Sequence, residues 1–170
     1  TWKAAECYFE KGSRELVLKG IDRLIEANSM SPNGGICYQV FLRYASLGDI
    51  KSAYYWLDKT FYNYSDNFES PEEETNNLLL QSLMLFYGVG VEKNEIEAFR
   101  LLKKYVNDGG EDGSGICRYY LGLWAEGGRG IEKSNQTAID YYERSNYYMP
   151  AEERAILLQI LQDDQLTAFF

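Results

Sequence analysis

The sequence holds no histidine, only three prolines and only three cysteines among 170 residues. Each shortage excludes something. Without histidine the chain lacks the side chain that most often serves as general base or metal ligand near neutral pH. With so few prolines, long stretches can run as helix without losing a backbone donor. The cysteines form no Cys-x-x-Cys pair, so neither a redox pair nor a structural zinc half-site is present, and they leave the compartment unfixed. No Gly-x-Ser-x-Gly nucleophile elbow occurs, and Gly88-Val89-Gly90 lies between two helical patterns rather than after a strand, so a dinucleotide reading fails on context. No apolar run approaches the length of a membrane span and no stretch reads as a secretory signal. Basic residues are also scarce: 17 lysines and arginines against 26 acids give a net charge of −9. Such a chain repels nucleic acid and anionic membrane surfaces. The acids Glu69, Glu72, Glu73 and Glu74 read as a helix start and a solvated face rather than a metal or catalytic cluster. No cofactor, metal or catalytic residue is expected, and the chain is read as a non-enzyme.

What is present is a layout that returns every forty residues. Gly88-Val89-Gly90-Val91-Glu92-Lys93 becomes Gly128-Arg129-Gly130-Ile131-Glu132-Lys133, and Asn94 and Ser134 each stand four residues before an alanine, Ala98 and Ala138. Gly35-Ile36-Cys37 returns as Gly115-Ile116-Cys117, two periods on. Self-similarity at this period signals stacked supersecondary units, none of which buries its apolar face alone. Each unit reads as helix A, a loop and helix B. The loop glycines supply φ > 0, Val91 and Ile131 plug the loop onto the core, and Asn94 and Ser134 are N-cap types. Glu97, three after Asn94, completes a capping-box pattern. Gly122 and Ala125 share one helix face on which a neighbour can approach closely.

Taken in order, the units cover approximately 1–30, 35–64, 71–108 and 115–146, with a closing helix over 149–166. Trp2 to Lys11 reads as a first helix, and Ser13 caps a second that ends near Met30 with Leu16, Ile21, Leu24 and Ile25 as its apolar stripe. In the second unit Gly48 corresponds to Gly128, and Asp49 caps helix B directly through a shorter turn that leads to Ala53. Ser70-Pro71-Glu72-Glu73 opens helix A of the third unit, whose run from Leu78 to Phe86 is apolar nearly all round. Cys37 and Cys117, an entire repeat apart, are too distant for a disulfide.

These residues resemble the Sel-one-like (Sel1-like) repeat family, relatives of the tetratricopeptide repeats. Leu121-Gly122, the Gly128-x-Gly130-Ile131 loop and Ala138 carry the likeness; Gln81 and Ser82 depart from the Leu-Gly pair in the third unit. The resemblance implies a single all-α domain over 1–170, a right-handed α/α superhelical solenoid of about four helix-turn-helix repeats with a C-terminal capping helix. Its helix A positions line a concave groove, which falls here on Gln39 and Arg43, on Leu79, Leu83 and Phe86, and on Tyr119, Leu123 and Glu126. For Leu79, Leu83 and Phe86 the alternative is plain core. Gly48, Gly88, Gly90, Gly122, Gly128 and Gly130, with Ala53, Ala98 and Ala138, are the structural positions. The implied function is a non-catalytic protein–protein interaction module, with an immunity or inhibitor protein that blocks a basic secreted toxin or effector as its specific form. A glycan- or peptidoglycan-binding envelope protein, or an adaptor scaffold, is the alternative. The family points to the periplasm or envelope, the cytoplasm being the other option.

Overall fold

The computed structural model describes residues 12–64, 71–107 and 115–145; the helices expected over 2–11 and 149–166 lie outside them. Seven helices and no strand occupy the described residues: α1 Arg14–Met30, α2 Gly34–Ser46, α3 Ile50–Tyr64, α4 Pro71–Tyr87, α5 Glu95–Asn107, α6 Gly115–Gly127 and α7 Asn135–Glu143. This is an α/α solenoid of helical repeats.

The helix starts follow their polar caps. Ser13, Asn33 and Ser134 accept the backbone N–H groups of Leu16, Ile36 and Thr137, and Asn94 accepts that of Glu97 at 3.0 Å. Asp49 accepts from the backbone and hydroxyl of Ser52 at 3.1 and 2.8 Å. Each cap satisfies a donor that the first turn leaves without an intrahelical partner. The capping box expected at Glu97 does not form. Its carboxylate instead accepts from Arg100 at 2.8 and 2.6 Å, while the Asn94 N–H is taken by the Leu85 carbonyl at 2.9 Å.

The chain divides into two compact units, Thr1–Asn77 with Gly88–Glu92, and Leu78–Tyr87 with Lys93–Phe170. In the first, α2 packs against both α1 and α3. Ile21, Leu24, Cys37, Val40, Ala53 and Leu57 are buried there, joined by Phe41 and Trp56. In the second, α6 packs against α5 and α7, burying Phe99, Leu102, Leu121, Trp124, Ile139 and Tyr142. Arg14 ties the start of α1 to the Leu47 carbonyl at 3.2 Å. α4 buries polar side chains as well as apolar ones: Thr75 and Asn77 in the first unit, Gln81 and Ser82 in the second.

One contact recurs in both units. Gly90 and Gly130 hold φ of +74° each, and each is pressed on the first turn of the preceding helix B. A Cβ at Gly90 would meet the Ile50 carbonyl carbon at 2.9 Å, and one at Gly130 would meet that of Glu95 at 2.8 Å and Phe99 Cβ at 3.1 Å. Glycine is required there twice over, for the left-handed backbone and for the close approach. Gly48, by contrast, has φ +75° and open space around it, so only its backbone demands glycine.

Candidate functional site

The positions expected to line a groove separate by burial. On α2, Gln39 and Arg43 stand one turn apart and both are partly exposed, while Cys37, Val40 and Phe41 turn inward. On α6, forty-residue periodicity places Tyr119 and Leu123 at the counterpart positions, again partly exposed. Leu83 is partly exposed as well.

Leu79 and Phe86 do not line an open groove. Both are buried, Phe86 to 2% exposure, and the Phe86 ring stacks on Trp124 at 4.4 Å with an interplanar angle of 6°. Their helix carries apolar residues on nearly every face, so periodicity could not say which of them a neighbouring ring would cover. Tyr119 has a double character. Its ring lies 5.9 Å from that of Tyr142 and packs on the cluster of Ala125, Ala138, Ile139 and Tyr142. Glu126 accepts a 2.8 Å hydrogen bond from the Tyr142 hydroxyl, and so anchors a buried phenol.

The same phenol packs on Gly122 of the Leu-Gly pair. Tyr142 is fully buried and its ring occupies the space a side chain at residue 122 would fill; a Cβ on Gly122 would lie 2.5 Å from Cδ1 and 2.8 Å from Cζ. In the third repeat the matching positions are Ser82, Leu102 and Phe86, all buried. The third repeat thus carries serine for glycine, leucine for tyrosine and phenylalanine for glutamate at these three positions.

The sequence reading missed Arg129. It stands between the two glycines of the last loop, where Val89 stands in the loop before. Its guanidinium lies over the Phe86 ring at 4.7 Å and donates in a two-pronged fork to Glu95, with Nε to Oε2 at 2.8 Å. Lys93 also reaches Glu95, at 2.8 Å. The hydrogen bonds from Arg129 and Lys93 hold the Glu95 carboxyl down at about 2, as expected for a carboxylate accepting from two cations. An arginine in place of an aliphatic residue between glycines was the available signal.

Among the described residues no group of three histidine, cysteine, aspartate or glutamate side chains could hold a metal, and no helix is long and apolar enough to cross a membrane. The buried Cys37 and Cys117 are free thiols. Desolvation pushes Cys117 up to about 12 and raises Cys37 as well, which removes the thiolate needed for reaction.

The Sel1 repeat family matches residues 82–105 and 116–146. No curated protein sequence matches the chain. Among solved structures, a Sel1 repeat protein from Oxalobacter formigenes is 20% identical, with a TM-score of 0.55 over 76% of this chain and 92% of its own. A protective antigen present in uropathogenic Escherichia coli strains, displaying an SLR fold, is 19% identical with a TM-score of 0.60 over 96% of this chain. This chain spans only 34% of that antigen's length. At these identities the likeness is one of fold.

Proposed function

We propose that the chain, whose residues 82–105 and 116–146 match the Sel1 repeat, works as a non-catalytic protein–protein interaction module, with Gln39 and Arg43 on α2 as contact residues of the first unit and Tyr119, Leu123 and Glu126 on α6 as those of the second. Sel1 repeats are generally protein–protein interaction modules, which supports the reading. The observation that carries the placement is the division of α6. Cys117, Leu121, Trp124 and Ala125 are buried, while Tyr119 and Leu123 stay partly open to solvent. An aromatic and an aliphatic side chain at that spacing, with a carboxylate one turn on, suit a partner helix or extended segment.

In its specific form the proposal is an inhibitor or immunity protein that covers a basic toxin or effector. The net charge of −9 supports a basic partner captured quickly and in a salt-sensitive manner. The whole chain, 1–170, is taken as one repeat domain in this reading. Affinity capture from native cells followed by mass spectrometry identifies the partner. Purified partner is then titrated with wild-type protein and with Arg43→Glu and Leu123→Asp variants of unchanged melting temperature. A loss of about tenfold or more in affinity is expected; a partner that binds both variants like wild type places the contact elsewhere.

A further inference from the structure

The acidity of the chain is not spread over its repeats. Segments 1–11, 65–70, 108–114 and 146–170 hold eleven acidic residues against three basic ones. Within the second compact unit, residues 78–87, 93–107 and 115–145 hold eight basic residues against six acidic. The face of α5 turned away from the core concentrates this positive charge. Ala98, Phe99 and Leu102 are buried on one side, and Ile96, Arg100, Lys103 and Asn107 form an exposed stripe on the other, at the i, i+4, i+7 and i+11 spacing of a single helix face. Lys104 is exposed beside it. Arg100 shares its charge with Glu97 in a 2.6 Å ion pair, whereas Lys103 and Lys104 form no such pair among the described residues. Ile96 is 70% exposed, an isolated apolar side chain on an otherwise polar face. The corresponding positions on α7 are Gln136, Asp140 and Glu143, so the stripe is particular to α5 and not a property of every repeat.

We propose that this outer face of α5 is a second interaction surface, distinct from the α6 face, and that it takes an acidic protein segment bearing one apolar side chain. Lys103, Lys104 and Arg100 would meet the carboxylates, and Ile96 would seat the apolar group. Opposite charge steers the encounter and fixes its orientation, and burial of the isoleucine supplies what exposed ion pairs alone do not, since those contribute little. The α5 face would thus take a partner of charge opposite to that of the basic one proposed above.

The probe is a fluorescein-labelled peptide with glutamates around a central leucine, read by anisotropy against the full-length chain at low and high salt. Its lysine counterpart, a leucine-to-serine counterpart and heparin serve as comparisons. The acidic leucine peptide should bind in low salt; the lysine peptide should not bind this face, and the serine peptide should bind about fivefold more weakly. The double variant Lys103→Glu, Lys104→Glu should weaken the acidic peptide about tenfold or more, and Ile96→Ser about fivefold. Both change exposed side chains, and unchanged melting curves confirm that the fold is kept. The proposal is overturned if the acidic leucine peptide does not bind, if its serine counterpart binds as tightly, or if the α5 variants bind the acidic peptide like wild type. Heparin binding with the same dependence on Ile96 and the lysines would reduce the face to a general polyanion site and also overturn it. Arg43→Glu and Leu123→Asp should leave peptide binding unaltered. If either abolishes it instead, the peptide site lies on the helix that carries that residue, α2 or α6, and this proposal fails while the preceding one stands.

Discussion

Replacing Gly122 by alanine tests the account of the fourth repeat at its tightest point. The new methyl group would stand 2.5 Å from Cδ1 and 2.8 Å from Cζ of Tyr142, well inside van der Waals contact. Tyr142 is 0% exposed, so its ring cannot swing into solvent without opening the core. Overpacking of this kind costs about 1–3 kcal/mol. Moving the ring also strains the 2.8 Å bond to Glu126, and a hydrogen bond to a charged group is worth about 1.5–3 kcal/mol. Against this, alanine in a helix interior is better than glycine by about 1 kcal/mol. The net expectation is a loss of about 2–4 kcal/mol, or roughly 5–15 °C in melting temperature for a chain of this size. Circular dichroism melts with urea titration measure it. Pairing Gly122→Ser with Tyr142→Leu, which recreates the Ser82 and Leu102 of the third repeat, should cost clearly less than the two single changes together, because the ring and the side chain compete for one volume. A Gly122→Ala protein that melts at or above wild type, or a double variant with no coupling, would refute the packing argument.

Other perturbations test separate parts of the structure. Gly130→Asn should destabilise far more than Gly48→Asn, although φ is +74° and +75° respectively, because only residue 130 has a backbone carbonyl in the way; equal urea midpoints would contradict this. The Glu95 carboxyl is held down to about 2 from an ordinary 4.5, so its contribution is present above about pH 4.5 and is lost as pH falls through 2. The stability difference between wild type and Glu95→Gln should therefore shrink over that window, and a difference constant from pH 6 to pH 2 would show that the fork from Arg129 is not what binds the loop. Cys37 and Cys117 should resist alkylation by iodoacetamide in the native protein at pH 8 and react once it is unfolded in urea, with peptide mapping to assign the label; fast native modification of Cys117 would mean that α6 opens readily.

The forty-residue period, the caps and the loop glycines needed nothing beyond local chemistry. Asn94 and Ser134 cap because a short polar side chain precedes an amphipathic run, and Gly88, Gly90, Gly128 and Gly130 take positive φ because the loop geometry admits little else. The repeat pattern, the fold class and most helix starts were legible for that reason. Which apolar residue would be covered was not. Leu79, Leu83 and Phe86 are chemically alike and sit on one helix, yet Leu83 remains partly open while Phe86 lies between the rings and charges of Trp124 and Arg129. The role of Glu126 likewise depended on a hydroxyl sixteen residues away, and that of Arg129 on a carboxylate thirty-four residues earlier. Periodicity assigns a face to a side chain from its neighbours in the chain. Burial and pairing are decided by what packs on that face from elsewhere in the fold, as the Tyr142 ring does on Gly122 and the Arg129 fork does on Glu95.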